Sequence, residues 1–140
     1  MKFLVTLCLL SISIHSAGAD WRLAPIAKGF ERPLWVGCPA KENTYLWVVE
    51  QKGRITVIEK ATGKKVSTFL DLTNKTKISA NERGLLGVAF APDFQKSGKF
   101  YLNFTNNDGD TEITRYTTEA KNRLKADPSS AETLLSIDQP

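Results

Sequence analysis

Two stretches of this chain repeat one order of residues at a fixed distance, and that repeat limits the possible folds more than any other feature. In the first, Pro39 precedes the aromatic and β-branched run 45–49, the polar turn Glu50-Gln51-Lys52-Gly53 and the run 54–59. In the second, Pro92 precedes the run 100–105, the turn 106–110 and the run 112–116. Pro39 and Pro92 stand 53 residues apart, and Trp47 and Tyr101 stand 54 apart. Short β-branched and aromatic runs bounded by Gly, Asn and Asp read as strands joined in hairpins. After residue 19 no stretch of useful length carries the 3.6-residue period of an amphipathic helix. Antiparallel hairpins recurring at about 50 residues are the mark of four-stranded propeller blades. From the residues alone a β-sandwich stays open as well, because its strands can produce such a spacing by chance.

The same pattern assigns further segments. Residues 61–64 form a turn and 66–72 a third strand. Residues 85–90 form a compact apolar strand ended by a turn at 91–94. The run 100–105 alternates, with Phe100, Leu102 and Phe104 on one face. Residues 121–130 read as a polar loop, and 132–137 as the start of one more strand.

The first residues read as a targeting segment. Lys2 gives the positive start, residues 3–14 are apolar apart from Thr6, Ser11 and Ser13, and Ala17-Gly18-Ala19 gives the small-x-small cleavage pattern. Residues 1–19 are therefore expected to be a signal peptide cut after Ala19, and 20–140 the secreted or periplasmic chain. The apolar run is shorter than the roughly 20 residues of a membrane span, so no membrane anchor is expected. Cleavage removes Cys8, leaving Cys38 without an intramolecular partner, and removes His15, the sole histidine. Residues 20–140 thus contain no imidazole, which excludes from them a Ser-His-Asp hydrolase, a Cys-His protease and a His-bound zinc site.

Net charge is +4 at neutral pH. The basic residues are dispersed in loose groups, one of Lys75, Lys77 and Arg83 and one of Lys121, Arg123 and Lys125. Neither forms the concentrated stripe that nucleic-acid binding needs, so both read as solvated surface. Asn106, Asp108 and Asp110 alternate like the start of a calcium loop, but Gly109 is misplaced for one and no bidentate Glu follows, so a hairpin turn is the expectation. Asn74-Lys75-Thr76 and Asn103-Phe104-Thr105 match the glycosylation sequon.

One segment is more specific. Glu82-Arg83-Gly84-Leu85-Leu86-Gly87-Val88-Ala89-Phe90-Ala91-Pro92-Asp93-Phe94 resembles the ERGLLG-x-AF-x-PDF signature of the glucose/sorbosone dehydrogenase family, soluble quinoproteins that include aldose sugar dehydrogenases. Leu46 to Ile55 is similar to that family's first-blade hairpin, and Gly98-Lys99-Phe100-Tyr101-Leu102 to the strand after PDF. The likeness extends from about Phe30 to the C-terminus. Ala91 stands where the family usually has His, at a turn position.

The resemblance implies an all-β fold: about two four-stranded antiparallel blades of a six-bladed β-propeller, an N-terminal portion of the whole. It implies a pyrroloquinoline quinone (PQQ) site at one end of the propeller axis, generally with calcium, and oxidation of a sugar hydroxyl by hydride transfer to the quinone with a His base. That His and the calcium ligands belong to later segments of relatives, so no catalytic residue and no metal ligand is assigned here. PQQ and calcium are expected for the full-length family, neither held well by these residues alone, and the chain alone is expected to be inactive. The resemblance assigns Glu82, and with it Arg83, to the cofactor site. Read without it, Glu82 caps the backbone N–H groups of the following turn and Arg83 is a solvated loop residue. Gly84 and Gly87 are expected to permit a positive φ or a close approach. A sugar and the remaining blades are the expected partners. The competing expectation is a non-enzymatic secreted β-propeller that serves as an interaction module.

Overall fold

Glycines in the left-handed region close the hairpins. Gly53, at φ 115°, turns the chain between β2 (Tyr45–Glu50) and β3 (Arg54–Glu59), and Gly109, at φ 105°, turns it between β6 (Lys99–Thr105) and β7 (Thr111–Glu119). In this computed structural model, which describes residues 21–139, β1 (Pro33–Gly37), β2, β3 and β4 (Lys65–Asp71) form one antiparallel sheet in chain order. A second sheet holds β5 (Leu85–Phe90), β6, β7 and β8 (Asn122–Ile137), also antiparallel and in chain order. The expected signal peptide lies outside the described residues. Among those described, no helix is long and apolar enough to cross a membrane.

Alternation decides what lies between the sheets. Trp47, Val49, Ile55, Val57 and Phe69 point from the first sheet into the interface, and Leu85, Phe100, Leu102, Phe104 and Tyr116 point in from the second. Trp47 sits edge-on to Phe69, Phe90 and Phe94, with centroid separations of 5.9, 5.5 and 6.3 Å. Each such pair contributes about 1 kcal/mol beyond the apolar area it removes from water.

The repeat shows that the sheets follow one another as blades do. Trp47 faces the second sheet, yet its counterpart 54 residues on, Tyr101, lies on the far face of that second sheet with Asn103 and Ile113. A closed sandwich would turn both inward. Backbone bonding repeats too: Gln51 N donates to Arg32 O at 3.1 Å, and Thr105 N donates to Gly84 O at 2.9 Å. Both acceptors immediately precede the first strand of their sheet, and both have positive φ, 49° at Arg32 and 134° at Gly84. As expected for a blade, β5 is paired on one edge only.

Apolar side chains remain on both outer faces. On the first sheet Val36 is 59% exposed with Leu34 on edge strand β1, and Val66 is exposed on β4 at the other edge. Leu135 and Ile137 are about half exposed on the second. Residues 24–30 lie across part of the first face and enclose with Val36, Leu46, Val48 and Ile58 an apolar cavity of about 320 Å³.

Two expectations are corrected. Residues 121–130 are not a loop, because from Asn122 they form the first half of the sixteen-residue β8. Their polarity misled: β8 is an edge strand, so only Leu124 and Ala126 need turn to the core, while Pro128 is tolerated where no further ladder is required. The turn at 91–94 continues into the one-turn helix α1 (Phe94–Ser97), closed by Gly98 at φ 67° with its N–H on Phe94 O at 2.8 Å.

Candidate functional site

Antiparallel order puts the β2–β3, β4–β5 and β6–β7 connections at one end of the two sheets. Leu85 N donates to Gln51 O at 2.8 Å and ties the sheets together there. Glu82 and Arg83, which the family resemblance offers as cofactor-site residues, lie at this end, in the connection from β4 to β5.

That connection is held by Gln51, which sequence reasoning treated as an ordinary turn residue. Its side chain is 1% exposed, and Nε2 donates to Asn81 O at 2.7 Å and to Arg83 O at 2.8 Å. The Arg32 guanidinium adds a bond to Asn81 Oδ1 at 3.1 Å. No local pattern announces Gln51; a fully buried amide earns its place only through partners 30 and 32 residues away. Gly84 lets the loop pass because a β-carbon there would collide with the Gln51 carbonyl and stand 2.7 Å from its Cγ. Gly87 has neither role: its φ is ordinary, and an added β-carbon would find only Asn103 Cβ, at 4.0 Å. The expectation for Gly84 holds and that for Gly87 does not; Gly87 adjoins a register shift in β5.

The fixed loop presents Glu82 and Arg83 to a shallow cavity of about 240 Å³, which also touches Thr105, Gly109, Thr111 and Gln139. Glu82 is exposed and caps nothing, since Arg83 N bonds Ala80 O and Leu85 N bonds Gln51 O. Its carboxylate therefore stands ready to accept hydrogen bonds. Arg83 is half-buried, and its side chain makes one long bond, Nη1 to Ser79 Oγ at 3.5 Å. Lys77 reaches the same place, with Nζ 3.4 Å from Asp108 O. The cavity thus has the Glu82 carboxylate and the Arg83 guanidinium on its rim and the Lys77 ammonium close by. All stand on a backbone fixed by hydrogen bonds, an arrangement suited to a ligand with both carboxylate and hydroxyl or N–H groups.

The hairpin at 106–110 is a turn, as expected: Asn106 Oδ1 accepts the N–H groups of Asp108, Gly109 and Asp110, each at 3.0 Å. Among the described residues no group of three or more His, Cys, Asp or Glu is placed to hold a metal ion. A cavity of about 770 Å³ lies on the outer flank of the first sheet against Glu50, Arg54, Lys65 and Asp71, away from the loop.

The family model described as Glucose / Sorbosone dehydrogenase matches residues 31–137. Among solved structures the chain resembles the PQQ-bound aldose sugar dehydrogenase of Streptomyces coelicolor, with a TM-score of 0.66 and 24% identity over 81% of this chain and 33% of that one. It also resembles a Thermus thermophilus oxidoreductase described as a glucose dehydrogenase, with a TM-score of 0.63 and 21% identity over 82% of this chain and 31% of that one. Among curated proteins it is 23% identical to the Hedgehog-interacting proteins of Mus musculus and of Homo sapiens, over 80% of this chain and 18% of each. The chain therefore spans about a third of the length of these solved structures and under a fifth of these curated relatives.

Proposed function

The chain belongs to the glucose/sorbosone dehydrogenase family, and on that premise we propose that residues 20–140 supply the first two blades of an exported PQQ-dependent sugar dehydrogenase. Its site stands at the end where Glu82 and Arg83 are presented. The observation that carries the reading is the Gln51 clamp, which fixes the family's ERGLLG segment at the same end as both hairpins.

The residues present fit such a cofactor. PQQ bears three carboxylates and a ring N–H; Arg83 has guanidinium donors to spare, and Glu82 has a carboxylate with no partner among the described residues. Arg83 would pair with a carboxylate, while Glu82 would accept from the ring N–H or a sugar hydroxyl. When bound, the quinone would supply the two-electron acceptor for the hydride of the sugar's hydroxyl-bearing carbon. Gln51 keeps both contacts in place by holding the loop backbone. Calcium does not fit here, since among the described residues no group of three or more His, Cys, Asp or Glu side chains is placed to hold it. A base must still take the hydroxyl proton, and residues 20–140 contain no histidine to do so. In this reading they hold PQQ weakly and turn over no sugar alone, the remaining blades being their partners.

A second reading, a secreted interaction module without enzymatic activity, is favoured by the curated relatives, which are named for binding another protein. A chimera separates the two: residues 31–137 replace the matching third of the Streptomyces aldose sugar dehydrogenase. The enzyme reading expects a folded chimera that oxidises aldoses with added PQQ and loses most of that rate on Glu82→Ala. A folded chimera that binds no PQQ sinks it in favour of the module. Dye reduction by the isolated chain with PQQ and glucose overturns the claim of inactivity.

A further inference from the structure

Resting on that cofactor reading, we propose that Lys77 and Arg83 form a carboxylate-binding corner over Gly109, which makes Lys77 a second contact for a carboxylate of the cofactor.

The corner is made by the fold, since the sequence spreads the three residues over 33 positions. Gly109 lies at the hairpin tip with φ 105°, and a β-carbon added there would stand 3.2 Å from Arg83 Nη1 and 3.4 Å from Lys77 Nζ. Two cations thus share the space that a side chain would fill. Neither belongs to an ion pair among the described residues, where Arg54, Arg115 and Lys125 do. Each spends one donor on a long bond, of three on an ammonium and five on a guanidinium. Like charges held together with donors unspent are stabilised by an anion placed between them.

The corner is also pre-formed. Lys77 N bonds Thr105 O at 3.0 Å, and Arg83 O is held by Gln51 Nε2 at 2.8 Å, so both side chains leave a fixed backbone. Arg83 and Gly109 line the 240 Å³ cavity with Glu82, whose opposite charge orients the occupant: carboxylate to the cations, hydrogen-bond donor to Glu82. The guanidinium fork matches a carboxylate's two oxygens, and the ammonium adds a point charge.

The test titrates the purified full chain at low ionic strength with PQQ and, separately, with benzene-1,3,5-tricarboxylate, which has carboxylates but no quinone. Binding is read from NMR shifts of the Gly109 amide and from tryptophan fluorescence. Lys77→Gln and Arg83→Gln are each expected to weaken PQQ binding about five- to tenfold, with the double variant weaker than either. Lys121→Gln, remote from the corner, is expected to change nothing, and all variants should keep the parent circular dichroism. Equal PQQ affinity in parent and double variant overturns the proposal, as does binding of neither probe. If the tricarboxylate binds through Lys77 and Arg83 while PQQ does not, the corner stands and the cofactor reading falls.

Discussion

Gln51 and Gly84 touch across the two sheets so closely that only glycine fits at the second position. The Gln51 Cγ would lie 2.7 Å from a β-carbon on Gly84, whose φ of 134° is strained for any L side chain. Gly84→Ala combines that collision with backbone strain. It should lower stability by about 3 kcal/mol, read as a shift of the urea midpoint with an unchanged slope. Gly87→Ala is the control, because its β-carbon meets only an ordinary contact at 4.0 Å. Equal losses in the two variants would show that Gly84 is not a special position.

The amide of Gln51 makes a separable prediction. Gln51→Leu leaves the Asn81 and Arg83 carbonyls without their buried donor, at a cost of about 2–4 kcal/mol. Gln51→Glu puts an acceptor against two acceptors unless its carboxyl is protonated. Its folded pKa would then be raised, so the variant's stability is greatest in acid and is lost as pH climbs through that value. Urea midpoints collected from pH 4 to 8 test this; a midpoint for Gln51→Glu that rises with pH over that range would contradict it.

The sequence was readable where one side chain answers to its own neighbours. The alternation of Phe100, Leu102 and Phe104, the glycine of each hairpin and the 54-residue offset of Trp47 and Tyr101 all reach the structure intact. Residues 122–130 were misread because an edge strand needs few apolar residues, so Asp127, Ser129 and Ser130 looked like loop. At the candidate site, a motif singled out Glu82 and Arg83, which the structure places beside one shallow cavity. Nothing local set apart the clamp Gln51 or Lys77, since each meets its partners some thirty positions away.

Acid and alkali should loosen different places. Burial opposes ionisation of Asp71, but bonds from the Thr73 hydroxyl and N–H and from Arg54 outweigh it and hold the pKa below the usual value. Its stabilising contribution is present above the unfolded carboxylate range and disappears as pH falls through the lowered folded value. Asp71→Asn should therefore flatten the acid limb of stability against pH. Tyr116 is displaced the other way: burial, then the nearby Glu112 charge, raises its pKa, and it stacks on Phe100 at 5.7 Å. Stability from the neutral phenol is full below about pH 10 and is lost as pH rises through the raised folded value. Tyr116 should ionise late in an absorbance titration at alkaline pH, and Tyr116→Phe should remove that late phase. A late phase that survives Tyr116→Phe would contradict the assignment.

The outer faces give the last expectation. A blade's flat side is apolar because another sheet is meant to cover it, and here Val36 and Leu135 stand on opposite outer faces, 59% and 50% exposed. Neither reaches the core between the sheets, where Trp47, Phe69 and Phe100 hold the pair together. Val36→Lys and Leu135→Lys should therefore leave the unfolding midpoint within about 0.5 kcal/mol of the parent. The same changes should reduce self-association, because contact between two such faces would bury a charge. Sedimentation velocity over a concentration series measures this directly. A parent that stays monomeric over the series, or variants that associate as strongly as the parent, would show that these faces do not drive association.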